Sequence, residues 1–310
     1  MACPDRLGRC PLVLLRMDRE TYRRYYDVLR TTEDVDRLAE ADHVDRELLF
    51  IIHTQRVSRD ATRRFYVIKR QLPRLLGQWR HGKRMLEIAH ELEFPPVLLG
   101  QLMLRELQLP RKQVWGCFLN PASAPTPRLQ AEVRDLLAND LVYSPQGMDL
   151  QRERGRIGES RLYGWLDKHS IPYKTEKDLR GKYPKTPDAL LDTPIIFYGQ
   201  RLQWIESKAN FGDDVELRKN LRRQLAPYTE LFGEGAVVYW HGFVDGAESP
   251  PGILLWDAAT IEQLTPEVEP RRASTHAAHP SPSHARAPHP ERPPEVRRSG
   301  HGGPDGAPPP

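Results

Sequence analysis

Three charged residues suited to phosphodiester chemistry lie on two neighbouring apolar segments of this chain. Asp188 opens the first segment, and Glu206 and Lys208 lie two positions apart on the second. Successive side chains of a strand alternate between its faces, so Glu206 and Lys208 point to one side and Ser207 to the other. If the first segment folds back beside the second, Asp188 joins them. Two carboxylates and an ammonium at the end of a sheet suit a divalent metal and a phosphodiester, which is the chemistry of a nuclease.

The predicted cofactor is Mg²⁺, with Mn²⁺ as a second possible ion. Phosphodiester hydrolysis needs an activated water and stabilisation of negative charge, and Mg²⁺ supplies both through oxygen ligands. We expect Asp188 and Glu206 to be ligands, with the backbone carbonyl of Ser207 as a third. Lys208 should stay charged beside two carboxylates and stabilise charge on the phosphate. The alternative interpretation is an exposed Glu206–Lys208 ion pair on a strand edge, with Asp188 capping a turn.

A helix predicted over residues 215–232 follows the second segment. Gln224 and Tyr228 lie at i and i+4, on one face, where they can support the site or touch nucleic acid. Pro227 lies between them and predicts a kink, since a proline inside a helix costs about 3 kcal/mol. The same helix carries basic residues that form either a phosphate-binding stripe or an ordinary solvated face; these are Arg218, Lys219, Arg222 and Arg223.

The periodicity of residues 155–265 predicts an α/β domain with the order α-β-β-β-α-β. A connector over residues 144–156 leads into it. The predicted elements are a helix at 159–169, strands at 188–191, 195–198 and 202–208, the helix at 215–232, and strands at 236–243 and 252–256. The order indicates a mixed sheet flanked by helices.

Residues 21–145 have apolar residues at helical spacing throughout and predict a separate helical region that binds nucleic acid or a partner. Within it, residues 86–107 have the outline of a helix-turn-helix, with a break at Phe94-Pro95-Pro96. The alternative is an αα-hairpin buried in a bundle. Residues 1–155 carry 26 Lys/Arg against 21 Asp/Glu, which favours a polyanionic partner.

The two ends of the chain lack the pattern of a packed core. Residues 1–20 are predicted to be a flexible N-terminus, and residues 266–310, which hold 12 of the 29 prolines, a disordered tail. The longest apolar runs are shorter than the roughly 20 residues of a membrane span, so no membrane association is expected. The three scattered cysteines predict neither disulfides nor a zinc site, and so an intracellular location.

Four motifs stand out in the second half of the chain. They are Thr186-Pro187-Asp188, Trp204-Ile205-Glu206-Ser207-Lys208-Ala209, Phe211-Gly212-Asp213 and Val238-Tyr239-Trp240-His241-Gly242-Phe243. Together they resemble the codanin-interacting nuclease family, the TPD-motif branch of the PD-(D/E)xK restriction-endonuclease-like superfamily. The resemblance is close over residues 155–255 and weaker, but continuous, in the helical half.

The resemblance implies a restriction-endonuclease-like αβββαβ core behind a helical region with helix-turn-helix character. Asp188, Glu206 and Lys208 match the catalytic motif directly, and Glu159 and Gln224 match a further metal-linked carboxylate and a supporting residue by position. It also implies Mg²⁺ dependence and, for animal members, association with codanin in a nuclear pathway. A eukaryotic member is expected in the nucleus and cytoplasm.

Together these observations predict a divalent-metal-dependent nuclease, with DNA as the favoured substrate. The competing prediction is a catalytically weak scaffold of the same fold that binds a codanin-like partner or nucleic acid. The complete set of two carboxylates and a lysine favours the enzyme, since a decayed site usually lacks one of them.

Overall fold

Helices form most of the first half of the chain in the computed structural model, which describes residues 16–197 and 199–268. Many begin at a side chain that caps the free N–H groups of the first turn, as Asp18, Thr31 and Ser144 do. In chain order they are α1 (Arg19–Val28), α2 (Thr32–Asp42), α3 (Arg46–Arg80), α4 (Met85–Glu91), α5 (Pro96–Glu106), α6 (Arg111–Leu119), α7 (Pro127–Ala138) and α8 (Pro145–Lys168).

The 35-residue helix α3 organises these helices around two apolar clusters. At a rise of 1.5 Å per residue it is about 50 Å long. Its first turns, including Leu48, Leu49 and Ile52, pack with residues of α1 and α2. Its second half, including Ile68 and Leu72, packs with α4 to α7.

The helix pair α4–α5 has the spacing of a helix-turn-helix, but α5 is largely buried. Its buried residues are Val97, Leu98, Leu99, Gly100, Leu102, Met103 and Leu104. A helix that enters a DNA groove must present its side chains to the base edges. Burial of α5 therefore favours the alternative of an αα-hairpin packed in a helical bundle.

The second half of the chain forms a mixed sheet with helices, so the predicted α/β class is confirmed. Its strands are β2 (Tyr173–Thr175), β3 (Ala189–Phe197), β4 (Gln200–Lys208), β5 (Gly235–Tyr239) and β7 (Ile253–Asp257), in the spatial order β2-β3-β4-β5-β7. β8 (Glu267–Val268) pairs with β3, and β1 (Arg16–Met17) pairs in parallel with β6 (Phe243–Val244). β2, β3 and β4 are antiparallel, whereas β4, β5 and β7 are parallel.

Four shorter helical elements complete the sheet half. They are α9 (Glu176–Leu179), α10 (Asp214–Asn220), α11 (Ala226–Phe232) and α12 (Ala258–Gln263). A π-helical turn, Leu221–Leu225, joins α10 to α11, so the helix predicted at 215–232 is continuous but contains a wider turn. No helix within the described ranges combines the length and the apolarity that a membrane crossing requires.

Several predicted boundaries were wrong. The connector at 144–156 is the first half of α8, which Ser144 caps and Pro145 begins. The strands predicted at 188–191 and 195–198 are one strand, β3, with a shift of register between Leu190 and Ile195. Pro194 lies in this shift, because a proline cannot donate to the ladder and is tolerated at a bulge. The first strand of the sheet is instead β2, which lies between residues 169 and 188, where no element was predicted.

The predicted termini lie mostly outside the described residues, at 1–15 and 269–310. Residues 16–20, expected to be flexible, instead form β1 and the start of α1. The helical region was predicted to be separate, but all described residues belong to one compact unit. The side-chain amide of Gln55 on α3 accepts from the N–H of Phe211 at 3.2 Å and donates to its carbonyl at 3.0 Å.

An ion cluster strengthens this junction and gives a testable prediction. Arg59 on α3 pairs with Asp213 at 2.7 Å and with Glu216 at 3.2 Å, and the two carboxylates are 2% and 7% exposed. Replacing Arg59 by leucine leaves both buried charges without this partner, so we expect unfolding to become easier by about 3–5 kcal/mol in urea titrations.

The matched control for this prediction is Arg63→Leu, one turn further along α3. Arg63 is 69% exposed and pairs with Asp60 in the same helix. Such a surface pair contributes about 0–1 kcal/mol, so this variant should unfold near the wild-type midpoint. Equal losses in the two variants would show that the cluster at Asp213 does not hold the two halves together.

Candidate active site

The register of β3 and β4 brings Asp188 and Glu206 together. The antiparallel pairing of Ala189 with Ile205 places Asp188 opposite Glu206 at the next position. Directly opposed residues share a face, with Cβ atoms about 4.5–5.5 Å apart. The Asp188 N–H donates to Glu206 Oε2 at 3.2 Å, and the Ser207 N–H donates to Asp188 Oδ2 at 2.8 Å. These bonds hold both carboxylates at the same end of the two strands.

Lys208 lies on the same face of β4 as Glu206. Its Nζ donates to Glu206 Oε1 at 2.6 Å and to Gln224 Oε1 at 2.7 Å. The side chains of Lys208 and Glu206 are 15% and 4% exposed, and β4 lies between β3 and β5. The alternative of an exposed ion pair on a strand edge is therefore wrong.

Ser207 points to the opposite face, as strand alternation predicts. Its Oγ accepts a hydrogen bond from Trp240 Nε1 at 2.8 Å. Gly158 on α8 lies against this pair, and a Cβ there would come within 2.6 Å of the Trp240 ring. The glycine thus allows α8 to pack closely on the sheet, and only the backbone of Ser207 is available to the carboxylate side.

The carboxylates of the half-buried Asp188 and the buried Glu206 repel one another. Burial, and then the charge of Glu206, raise the pKa of Asp188 to about 8. A divalent cation beside both groups would remove this repulsion, and carboxylate oxygens are ligands that Mg²⁺ prefers. Within the described ranges no group of three or more His, Cys, Asp or Glu residues is arranged to hold a metal ion. The donor set here is therefore two carboxylates, which fits an ion that keeps several waters.

Glu159 lies on α8, near this pair. Burial, and then the charges of Glu176 and Glu206, raise the pKa of Glu159 above its usual value. The charges of Lys177 and Lys208 oppose this rise only in part. Glu159 thus shares the electrostatic environment of Glu206. Its role as a metal-linked carboxylate stays a prediction.

The π-helical turn explains how one helix accommodates both Gln224 and Pro227. The N–H of Ala226 bonds to the carbonyl of Leu221, five residues back, instead of four. This wider turn precedes the proline, which has no N–H to donate. Gln224 lies in the turn and reaches Lys208.

Tyr228 supports the segment that precedes Asp188. It is 2% exposed, and its hydroxyl donates to the carbonyl of Thr186 at 2.8 Å. Its ring packs edge-on against Trp204. Arg218 and Arg222 are exposed on the same helix, and their contact with nucleic acid stays a prediction.

Sequence reasoning missed Tyr163. It lies on α8, one turn after Glu159, and its hydroxyl donates to the carbonyl of Asp188 at 3.2 Å. Its ring stacks on Tyr173 with 5.3 Å between centroids. The signal available in the sequence was the i, i+4 spacing from Glu159, which puts both on one helix face.

Residues 125–259, which include every residue of this site, match a family of proteins of unknown function with a TPD sequence motif. The chain is 34% identical over 183 residues to "CDAN1-interacting nuclease 1" of Xenopus laevis, covering 56% of this chain and 60% of that protein. It is 33% identical over 181 residues to the Homo sapiens protein of that name, covering 55% and 64%.

A viral protein is also similar over a shorter stretch. "Uncharacterized protein L539" of Acanthamoeba polyphaga mimivirus is 33% identical over 115 residues, which is 35% of this chain and 42% of that protein. No solved structure matches the chain. The chain spans about 60% of the length of the nuclease relatives it matches first.

Proposed function

We propose that this chain belongs to the codanin-interacting nuclease family, the family of the TPD motif, and that it is a divalent-metal-dependent nuclease acting on DNA. One observation carries the proposal. Asp188 and Glu206 lie at the same end of two paired strands, where each carboxylate accepts a hydrogen bond from a backbone N–H of the other strand. Lys208 Nζ donates to Glu206 at 2.6 Å. A scaffold that only binds has no need for a buried carboxylate, Glu206, that repels a half-buried one, Asp188.

Each residue of the site has a proposed role. Asp188 and Glu206 would hold Mg²⁺ or Mn²⁺, with the Ser207 carbonyl as a third ligand. Glu159 is not grouped with them in the described residues, so it would be linked to the metal only through one of the waters that the ion keeps. When bound, the ion supplies an activated water and neutralises charge on the phosphate. Lys208 Nζ lies beside Glu206 and stabilises the charge that develops on the phosphate oxygens.

Residues around the site fix these groups before substrate arrives. Gln224 accepts a hydrogen bond from Lys208 and keeps its ammonium beside Glu206. Tyr228 and Tyr163 hold the backbone at Thr186 and Asp188. This pre-organisation matters because a catalytic group that is already oriented does not lose freedom during the reaction. Arg218 and Arg222 would contact phosphates further along the strand.

We also propose that the sheet half is a restriction-endonuclease-like core. The order α8, β2, β3, β4, α10–α11 and β5 supports this, because it reproduces the αβββαβ order with the carboxylates on the second and third strands. The name of these relatives, CDAN1-interacting nuclease 1, supports a codanin-like protein as partner. We propose that the two proteins meet in the nucleus or the cytoplasm. The exposed faces of the helical half, and not the buried α5, would bind such a partner or nucleic acid.

A panel of labelled nucleic acids tests the function. The pure protein is incubated with single-stranded, duplex and branched DNA and RNA, with Mg²⁺, with Mn²⁺ or with EDTA. We expect cleavage of DNA with either ion and none with EDTA. Binding without cleavage in all conditions would favour the scaffold, and equal cleavage with EDTA would exclude the proposed role of the metal.

A further inference from the structure

The connection from β2 to β3 contains an unusual concentration of lysine. The chain has 36 arginines and only ten lysines, yet five of the ten lysines lie within residues 168–185. Three of the five, Lys177, Lys182 and Lys185, are exposed on residues 176–187, which lead directly to Asp188. We call these three residues the lysine segment.

The acidic residues of this connection are already engaged with other groups. Asp178 Oδ2 accepts from the N–H of Thr175 at 2.8 Å and from its hydroxyl at 2.7 Å. Glu176 pairs with Arg180 at 3.1 Å. In the described part of the chain the lysine segment forms no ion pair, so its three exposed lysines are available to an external anion.

The backbone of the connection has a defined shape. The Lys182 N–H donates to the Leu179 carbonyl at 2.9 Å, across Arg180 at φ −55° and ψ 130° and Gly181 at φ 80°. These angles define a type II turn, which requires a positive φ at its third residue and therefore favours glycine. The turn holds Lys182 in place relative to the buried Leu179.

Aromatic contacts anchor the connection beyond the turn. Tyr183 packs edge-on against Phe232 at the end of α11, with 5.0 Å between ring centroids. Tyr228, one turn earlier in α11, holds Thr186. The lysine segment thus lies on an anchored loop. Such a loop loses less conformational entropy on binding than a free tail would.

The lysine segment also borders the carboxylate site. Lys185 is three residues from Asp188, a span of at most about 11 Å for an extended chain. The charge of Lys177 is close enough to Glu159 to oppose the rise in the pKa of that carboxyl group. A substrate phosphate held between Asp188 and Glu206 would therefore have neighbouring phosphates within reach of these ammonium groups.

We propose that the lysine segment binds the phosphate backbone of a nucleic acid strand next to the bond that is cleaved. Lysine binds phosphate as a point charge and carries no base preference, so the contact would position the strand and not select its sequence. The inference rests on the proposed nuclease function, because it takes Asp188 as the place of the cleaved bond.

The test compares two charge-matched double variants. Lys182→Ala with Lys185→Ala removes two members of the lysine segment, and Lys168→Ala with Lys174→Ala removes two nearby lysines outside it. Binding of a labelled DNA duplex and a single strand is measured by fluorescence anisotropy with EDTA, at several salt concentrations. Each lost phosphate contact should reduce the slope of log K against log salt by about 0.7–0.9.

We expect the slope to fall by about 1.5 in the first variant and by less than half as much in the second. Equal falls in the two variants would mean that only net charge matters and would overturn the proposal. An unchanged slope in the first variant, or a wild type that does not bind, would also overturn it. Cleavage by the wild type is assayed separately. If the wild type cleaves but the slope of the first variant is unchanged, only the role of the lysine segment is rejected. If the slope of the first variant falls but the wild type does not cleave, only the nuclease function is rejected.

Discussion

Cleavage is expected to fall by about 10²–10³-fold in Lys208→Ala, and by at least as much in Asp188→Asn, while both proteins stay folded. The lysine variant loses the ammonium that contacts Glu206 and Gln224. Asp188→Asn loses one charged ligand, but its amide oxygen can still accept from the Ser207 N–H. The measurement is the single-turnover rate on the DNA substrate that the panel identifies, with circular dichroism to verify the fold.

Ser207→Ala is the matched control, because Ser207 lies between Glu206 and Lys208 on β4 and its side chain points to the opposite face. Its Oγ bonds to Trp240 on the opposite face of β4, so its rate should stay within about threefold of wild type. A loss in Ser207→Ala equal to that in Lys208→Ala would contradict the assignment of the catalytic face. Cleavage that persists in Asp188→Asn would identify a contaminating nuclease and favour the scaffold.

The arrangement of these residues was predictable because it depends on short-range geometry. Strand alternation alone puts Glu206 and Lys208 on one side, and a tight turn is sufficient to return the preceding strand to its neighbour. The exact partner of Asp188 then follows from register, since a slip of one residue would turn every side chain of the strand to the wrong face. The buried apolar neighbours Ala189 and Ile205 exclude that slip.

Elements set by long-range contacts were not predictable in the same way. β2 has three residues, none of them fully buried, and is a strand because it pairs with β3. The first half of α8 lacks an apolar stripe, although Ser144-Pro145 is a typical helix start that was overlooked. The π-helical turn at Gln224 could not be located, because a proline in a helix predicts a distortion but not its form.

The junction between the helical half and the sheet half had no local signal at all. Arg59 and Asp213 are 154 residues apart, and each alone resembles an ordinary surface charge. Phe211-Gly212-Asp213 stood out only through the resemblance. In the structure this motif contacts α3: Gln55 binds the backbone of Phe211, and Arg59 binds Asp213.

Asp188→Asn is also expected to raise the melting temperature when EDTA is present, by about 5–10 °C at pH 8–9. Burial and Glu206 raise the pKa of Asp188 to about 8 in the folded protein, against about 3.9 in an unfolded chain. The folded state therefore holds the proton more tightly. The stability that this proton contributes is present below pH 4 and is lost as the pH rises through 8.

The size of the effect follows from the shift. Each pKa unit corresponds to about 1.4 kcal/mol, so a shift of this size sets an upper limit near 6 kcal/mol. Asp188 is only half-buried, and the solvent that reaches it reduces this limit, so we expect about 2–4 kcal/mol, with each kcal/mol moving the midpoint by about 2–4 °C. Asparagine carries no charge at any of these pH values, so its midpoint should lack this decline between pH 5 and pH 9.

Mg²⁺ should remove most of the difference between the melting temperatures of the two proteins. An ion that binds only the folded state stabilises it by RT ln(1 + [L]/Kd), about 2.7 kcal/mol at a hundredfold excess over Kd. The wild type gains this stabilisation and Asp188→Asn does not. The measurement is thermal unfolding by scanning fluorimetry at pH 5, 7 and 9, with Mg²⁺ or EDTA.

Asp27→Asn, which removes an exposed carboxylate on α1, is the control for the loss of one negative charge. Its melting temperature should follow the wild type in every condition. If Mg²⁺ raised all three midpoints equally, the ion would bind elsewhere on the protein. If Asp188→Asn melted below the wild type in EDTA at pH 9, the two carboxylates would not repel one another, and the physical reason for placing the metal between them would be gone.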